Sequence, residues 1–138
     1  MSAAIEFTLT RADDLTALLD AMEAFGEAQA LPIKTVMTLN LVLEELVTNA
    51  INYGAAAEGP VVNVHAELRD AHVFGCVRDN GTAFNPLVHA DPDIEAAIED
   101  RPIGGLGLHI VKEMAQNLDY QRVGTENVLK FQLTVQEG

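Results

Sequence analysis

Glu45 and Asn49 stand one helical turn apart in Leu43-Glu44-Glu45-Leu46-Val47-Thr48-Asn49-Ala50, and two later segments, Asp79-Asn80-Gly81 and Gly104-Gly105-Leu106-Gly107-Leu108, offer chemistry that complements them. An Asn carbonyl oxygen is a hard, neutral ligand, and Mg²⁺ takes one or two protein oxygens while phosphates and waters fill the rest of its shell. A Glu one turn away can accept the proton of an attacking hydroxyl or water, an effect worth roughly 10²–10⁴-fold in rate. The Asp79 carboxylate can accept a hydrogen bond from an adenine amino group. Gly81, lacking a Cβ, lets a base lie close to the backbone. Glycines running into a helix expose N–H groups that bind phosphate. Taken in order, the three segments supply a base, a metal ligand, an adenine reader and a phosphate cradle, the parts of a nucleoside triphosphate site.

Each segment also has a plainer reading. Glu45, Thr48, Asn49 and Asn52 form a polar stripe at i, i+3, i+4 and i+7, as a solvated helix face would. Against that, Asn is a poor helix former that competes for backbone hydrogen bonds, and the stripe is narrow on an otherwise apolar helix. Asp before Gly is common in turns. The glycine run could be a flexible connector, but an apolar helix follows it at once. It is not a Walker A loop, because no Lys-Ser/Thr follows. Nor is it a dinucleotide fingerprint: Ile110 stands where Gly or Ala is wanted, and Pro102 rather than a strand precedes it. Arg101 either reaches a phosphate or offsets Glu99 and Asp100. His65, His72, His89 and His109 lack ligand spacing and read as surface or packing residues, with His109 nearest the cradle.

The elements that must position these groups follow from periodicity. Residues 4–9 alternate and predict a strand. Residues 13–30 carry Leu15, Leu18, Leu19, Met22 and Phe25 at helical spacing, and Leu31-Pro32 breaks the run. Pro32 suits the first turn of a second helix, from about residue 33 to 53, with Gly54 as its C-terminal cap. Residues 61–68 and 72–79 predict a hairpin around Arg69-Asp70. Residues 85–103, with Pro86, Pro92 and Pro102, predict a long loop with one helical turn near Ile94–Ile98, and such loops are commonly functional lids. A third helix is expected from Gly105 to about Leu118, and strands at Tyr120–Val123 and Val128–Val135. The order β-α-α-β-β-lid-α-β-β does not alternate as a Rossmann or P-loop sheet does. It points to an α+β fold: a mixed, mainly antiparallel sheet with helices on one face.

Length and composition bound the rest. The chain has 138 residues, 49% of them hydrophobic, which suits a single domain with one core. No stretch has the apolar length of a membrane span, and the start lacks a signal-peptide pattern, so a cytoplasmic location is expected. A single cysteine, Cys76, cannot form an internal disulfide and reads as a buried strand residue rather than a reactive thiol. The net charge of −13 repels nucleic acid and anionic membranes and favours a protein partner with a basic or neutral face. It also opposes ATP, so a triphosphate must be held locally by Mg²⁺ and backbone N–H groups.

Glu45-Leu46-Val47-Thr48-Asn49-Ala50 resembles the N box of the GHKL (Bergerat-fold) ATPases, Asp79-Asn80-Gly81 their G1 box and Gly104-Gly105-Leu106-Gly107-Leu108 their G2 box. The run from Glu99 to Gly107 is similar to that of bacterial anti-sigma-factor serine/threonine kinases, the partner-switching proteins. The resemblance covers nearly the whole chain. It implies a two-layer α/β sandwich over residues 1–138 with an ATP lid at about 85–103. It also implies Glu45 as general base, Asn49 as Mg²⁺ ligand, Asp79 and Gly81 at the adenine, and Gly104, Gly105 and Gly107 at the phosphates.

Such kinases are typically homodimers that bind ATP and Mg²⁺. They hold a sigma factor, or phosphorylate a small antagonist protein that then releases them. Glu45 favours this branch, since histidine kinase catalytic domains usually carry Asn at the matching place. The sequence departs from the family at Tyr53, where His is frequent, and near the last strand. There Gly124-Thr125 falls early, and Asn127 takes the position of a nucleotide contact. An ATP-dependent protein kinase is the first expectation. A nucleotide-gated binding module that sequesters a sigma factor or other regulator, with little kinase activity, is the alternative.

Overall fold

The computed structural model describes residues 3–53, 59–85, 87 and 111–135, the side chains of Asn52 and Tyr53 excepted. The chain runs β1 (Ala3–Leu9), a 3₁₀ turn (Ala12–Asp14), α1 (Leu15–Ala28), α2 (Ile33–Tyr53), β2 (Val62–Arg69), β3 (His72–Asp79), β4 (Gln116–Val123) and β5 (Glu126–Thr134). Residues 111–114 are helical. The strands form one sheet in the order β1-β2-β3-β5-β4. All four pairings are antiparallel, so the mixed sheet expected from sequence is antiparallel throughout the described residues. No helix among those residues is long and apolar enough to cross a membrane.

Local chemistry sets the element ends. The backbone N–H groups of Thr10 and Arg11 both donate to Asp14 Oδ2, at 3.0 and 3.2 Å, which fixes the turn into α1. After α1, Ala30 adopts φ +56° and Leu31 N–H returns to Gly26 O at 2.8 Å, stopping the helix. Pro32 then opens α2, its carbonyl accepting from Thr35 and Val36. The two helices approach closely at Gly26, where a Cβ would lie 2.4 Å from Val36 Cγ2.

The core lies between one sheet face and the helices. Burial alternates along β2 and β3, as a sheet covered on one side requires. Leu18, Met22, Leu39, Val42, Leu43 and Val47 meet Leu9, Val62, Val64, Val73, Phe131 and Leu133 in one cluster. Each such side chain contributes about 1.5–3 kcal/mol by leaving water. Phe131 lies across Gly75 on the neighbouring strand, and a Cβ there would fall 2.1 Å from the ring.

One element departs from expectation. The third helix ends at residue 114, and residues 116–118, expected to be helical, belong to β4. Val111, Ala115 and Leu118 have helical spacing, which invited the longer helix. In the fold Asn117 takes φ +52° and a bulge separates Gln116 from Asp119 in the ladder. Asn117 Nδ2 then donates to Gln132 Oε1 at 2.7 Å, and Thr134 Oγ1 to Gln116 Oε1 at 3.0 Å. Pairing with β5 outweighs the helical pattern.

The Gly54 cap, the glycine loop (Gly104, Gly105, Gly107), Arg101, His89, His109 and the lid beyond Asn85 and Leu87 lie outside the described residues.

Candidate active site

Four polar side chains are buried among the described residues, and three of them, Asn49, Asp79 and Asn127, line one cleft. The cleft sits where the chain leaves the middle of the sheet at the end of β3. Leu46, Asn49 and Ala50 come from α2, Val77 and Asp79 from β3, Tyr120 from β4, Asn127 and Leu129 from β5, and Phe84 from the loop after β3. The sequence separates these residues widely; the β3–β5–β4 pairing Asp79↔Asn127↔Arg122 brings them together.

On the α2 side the Asn49 amide and one oxygen of Glu45 have no partners among the described residues. Asn49 is 3% exposed, and neither its Oδ1 nor its Nδ2 makes a hydrogen bond. Leaving such a group unmade costs about 1–3 kcal/mol. One turn earlier Glu45 is half-buried, with Oε2 equally unpartnered. Burial raises its pKa, and the neighbouring Glu44 charge adds to the shift. No group of three or more His, Cys, Asp or Glu that could hold a metal occurs among the described residues. A vacant buried amide oxygen, by contrast, fits Mg²⁺ carried in with phosphate oxygens.

On the sheet side every hydrogen-bonding position of Asn127 is used. Its Nδ2 donates to Asp79 Oδ1 at 3.0 Å and to Thr82 O at 2.9 Å. Its Oδ1 accepts from Phe84 N–H at 3.1 Å and from the Tyr120 hydroxyl. Gly81 N–H donates to Asp79 Oδ1 at 2.8 Å, and Gly81 O accepts from Arg122 Nη1 at 2.7 Å. Burial raises the Asp79 pKa; the bonds from Asn127 and Gly81 and the charge of Arg122 oppose the rise, while Glu126 adds to it. Asn80 staples the loop after α2, its Oδ1 accepting from Val61 N–H at 2.8 Å and its Nδ2 donating to Gly59 O at 3.3 Å.

Of the residues singled out from sequence, the fold thus places Asn49 and Asp79 on one cleft, Gly81 bonded to Asp79, and Glu45 one turn from Asn49. Asn127 lines the cleft with its amide committed to protein partners. Tyr120 and Arg122 were not anticipated. Alternation through Leu118, Tyr120 and Arg122 was the available signal, and assigning Leu118 to a helix masked it. Cys76 lies on β3 as expected, but half-buried, one residue out of phase with the core positions Gly75 and Val77; burial pushes its thiol pKa up. His65 Nδ1 lies 3.3 Å from Glu6 Oε1, and His72 tilts against Phe74, so both pack on the open face of the sheet.

Residues 8–133 match the family described as histidine kinase-like ATPase domain. The serine/threonine-protein kinase BtrW of Bordetella bronchiseptica is 30% identical over 87 residues, a match spanning 62% of this chain and 61% of that kinase. The catalytic domain of the histidine kinase ThkA superposes with a TM-score of 0.52 at 17% identity, covering 96% of this chain and 97% of that domain. The Acinetobacter baumannii histidine kinase AdeS gives 0.50 at 12% identity, over 98% of this chain and 68% of that one. At these identities the two structures speak for the fold alone.

Proposed function

We propose that this chain, which belongs to the family of histidine kinase-like ATPase domains, is an ATP-dependent protein serine/threonine kinase. Its substrate on this reading is a small antagonist protein in a bacterial, cytoplasmic partner-switching pathway, and a sigma factor is a second candidate partner. The observation that carries the proposal is the vacant buried Asn49 amide facing a cleft shared with Asp79, with the unpartnered Glu45 Oε2 one turn away. The similarity to a serine/threonine-protein kinase supports the choice of reaction. The acidic surface suits a substrate with a basic or neutral docking face.

In this reading residues 1–138 form one domain, and Asp79 and Gly81 hold the adenine. Gly104, Gly105 and Gly107 cradle the phosphates, and Asn49 holds Mg²⁺. When bound, Mg²⁺ neutralises charge on the phosphate oxygens. Glu45 takes the proton of a seryl or threonyl hydroxyl as that oxygen bonds to the terminal phosphorus and the bond from phosphorus to the leaving diphosphate breaks. Its raised pKa makes it a better proton acceptor near neutral pH. The proposed assembly is a homodimer, which sedimentation of the purified chain would test.

The central test is Glu45→Gln. It should retain ATP affinity and lower transfer of labelled γ-phosphate to the antagonist roughly 10²–10⁴-fold. Full activity in the variant would remove Glu45 from the chemistry. Nucleotide-dependent partner retention without label transfer, in the unmodified chain, would replace the kinase reading with that of a binding module.

A further inference from the structure

Resting on the proposed nucleotide site, we propose that Asn127 is a positioning residue that sets base selectivity. It holds the Asp79 carboxylate with one oxygen saturated and the other open to the 6-amino group of adenine.

Hydrogen-bond parity fixes how this amide must lie. Phe84 N–H can only donate, so it faces Oδ1; the Thr82 carbonyl can only accept, so it takes an Nδ2 proton. The second Nδ2 proton then goes to Asp79 Oδ1, which already receives Gly81 N–H. Two donors on one carboxylate oxygen leave Oδ2, which makes no hydrogen bond among the described residues. The Tyr120 hydroxyl, from β4, fills the last position on Asn127 Oδ1. The amide therefore cannot turn without breaking bonds to β3, to β4 and to the loop at Thr82 and Phe84. A Ser or Thr hydroxyl has a single proton and could not serve Asp79 and Thr82 at once.

The consequence for a ligand is a matter of donors and acceptors. A carboxylate oxygen held as a pure acceptor pairs with the 6-amino group of adenine. Against a 6-oxo group it meets lone pairs and is left buried and unpaired. Sites built around one such hydrogen bond discriminate strongly against analogues that cannot make it. If Asn127 is removed, Asp79 Oδ1 loses a donor and the carboxylate is free to turn. Selectivity should then fall because ATP loses affinity while the 6-oxo analogue, which never made the bond, does not.

The test compares ATP with inosine triphosphate, which carries the 6-oxo group, by calorimetric titration of the full chain with Mg²⁺. The unmodified protein should prefer ATP by about 100-fold or more. Asn127→Ala should cut that ratio about tenfold, chiefly by losing ATP affinity. Tyr120→Phe keeps the ring and removes only the hydroxyl, so it should cut the ratio by a smaller factor while remaining folded. Equal losses for both nucleotides in the two variants, or unchanged ratios, would overturn the proposal and leave Asn127 a structural residue. A native chain that binds both nucleotides equally would overturn it while sparing the nucleotide site, whereas one that binds neither would overturn both.

Discussion

The two walls of the cleft are built to opposite standards. On the sheet wall Asn127, Asp79 and Gly81 are stitched to one another and to Thr82, Phe84, Tyr120 and Arg122 before any ligand arrives. On the helix wall Asn49 is buried with both amide atoms unmatched among the described residues, and one turn earlier the half-buried Glu45 leaves Oε2 unmatched. The sheet wall is preorganised and contributes to the stability of the empty protein. The helix wall costs the empty protein stability, and a ligand that satisfies Asn49 and Glu45 would recover it. On the proposed reading, the base would meet a finished surface, while the phosphate end would be completed by what binds there.

The sharpest way to break this contrast is Asp79→Asn. Its amide oxygen can still accept from Gly81 and Asn127, which leaves the NH2 donor at the open position facing a ligand amino group, so ATP affinity should fall about 100-fold or more, measured by calorimetry. Near-normal affinity would mean that the sheet wall does not read the base. Next in size is a pair of apolar replacements. Asn127→Leu strips partners from Asp79, Thr82 and Phe84 and should lower unfolding stability by about 1–3 kcal/mol or more. Asn49→Leu removes two orphaned atoms and should leave the empty protein as stable or more stable, while abolishing stabilisation by Mg²⁺-ATP. Denaturant unfolding of both variants would settle the sign, and a large loss in Asn49→Leu would refute the idea of a vacant helix wall.

The smallest effect is one of pH. The folded-state pKa of Glu45 lies above its ordinary value of 4.5, so ionisation penalises the fold at neutral pH. Glu45→Gln should therefore melt slightly higher than the parent at pH 7. That advantage should shrink as pH falls through the raised pKa, and vanish below the ordinary one. An advantage independent of pH would rule out the buried charge as its cause.

Much of this was legible in the sequence, for identifiable reasons. The bounds of α2 follow from Pro32 and from apolar spacing, and the β2–β3 hairpin from strict alternation on either side of Arg69-Asp70. Asn49 stood out as a poor helix former in a narrow polar stripe on an apolar helix, and Asp79 through its place, with Gly81, in the ordered set of three segments. The limit was register. Asn127 lies 48 residues from Asp79, and its bond to that carboxylate exists only because β5 inserts between β3 and β4. Residues 116–118 failed for a related reason: Val111, Ala115 and Leu118 satisfy a helical period locally, and only pairing with β5 and the Asn117 backbone decide otherwise.

The contact between Phe131 and Gly75 has a consequence for variation across relatives of this chain. The ring occupies the volume a side chain at position 75 would need, so neither position can drift alone. Alanine at 75 forces the ring to shift or calls for a smaller residue at 131, and the ring as it lies leaves room only for hydrogen at 75. Among homologous sequences the two columns should change in step, and a chimera that takes one without the other should lose stability even though its cleft residues are intact.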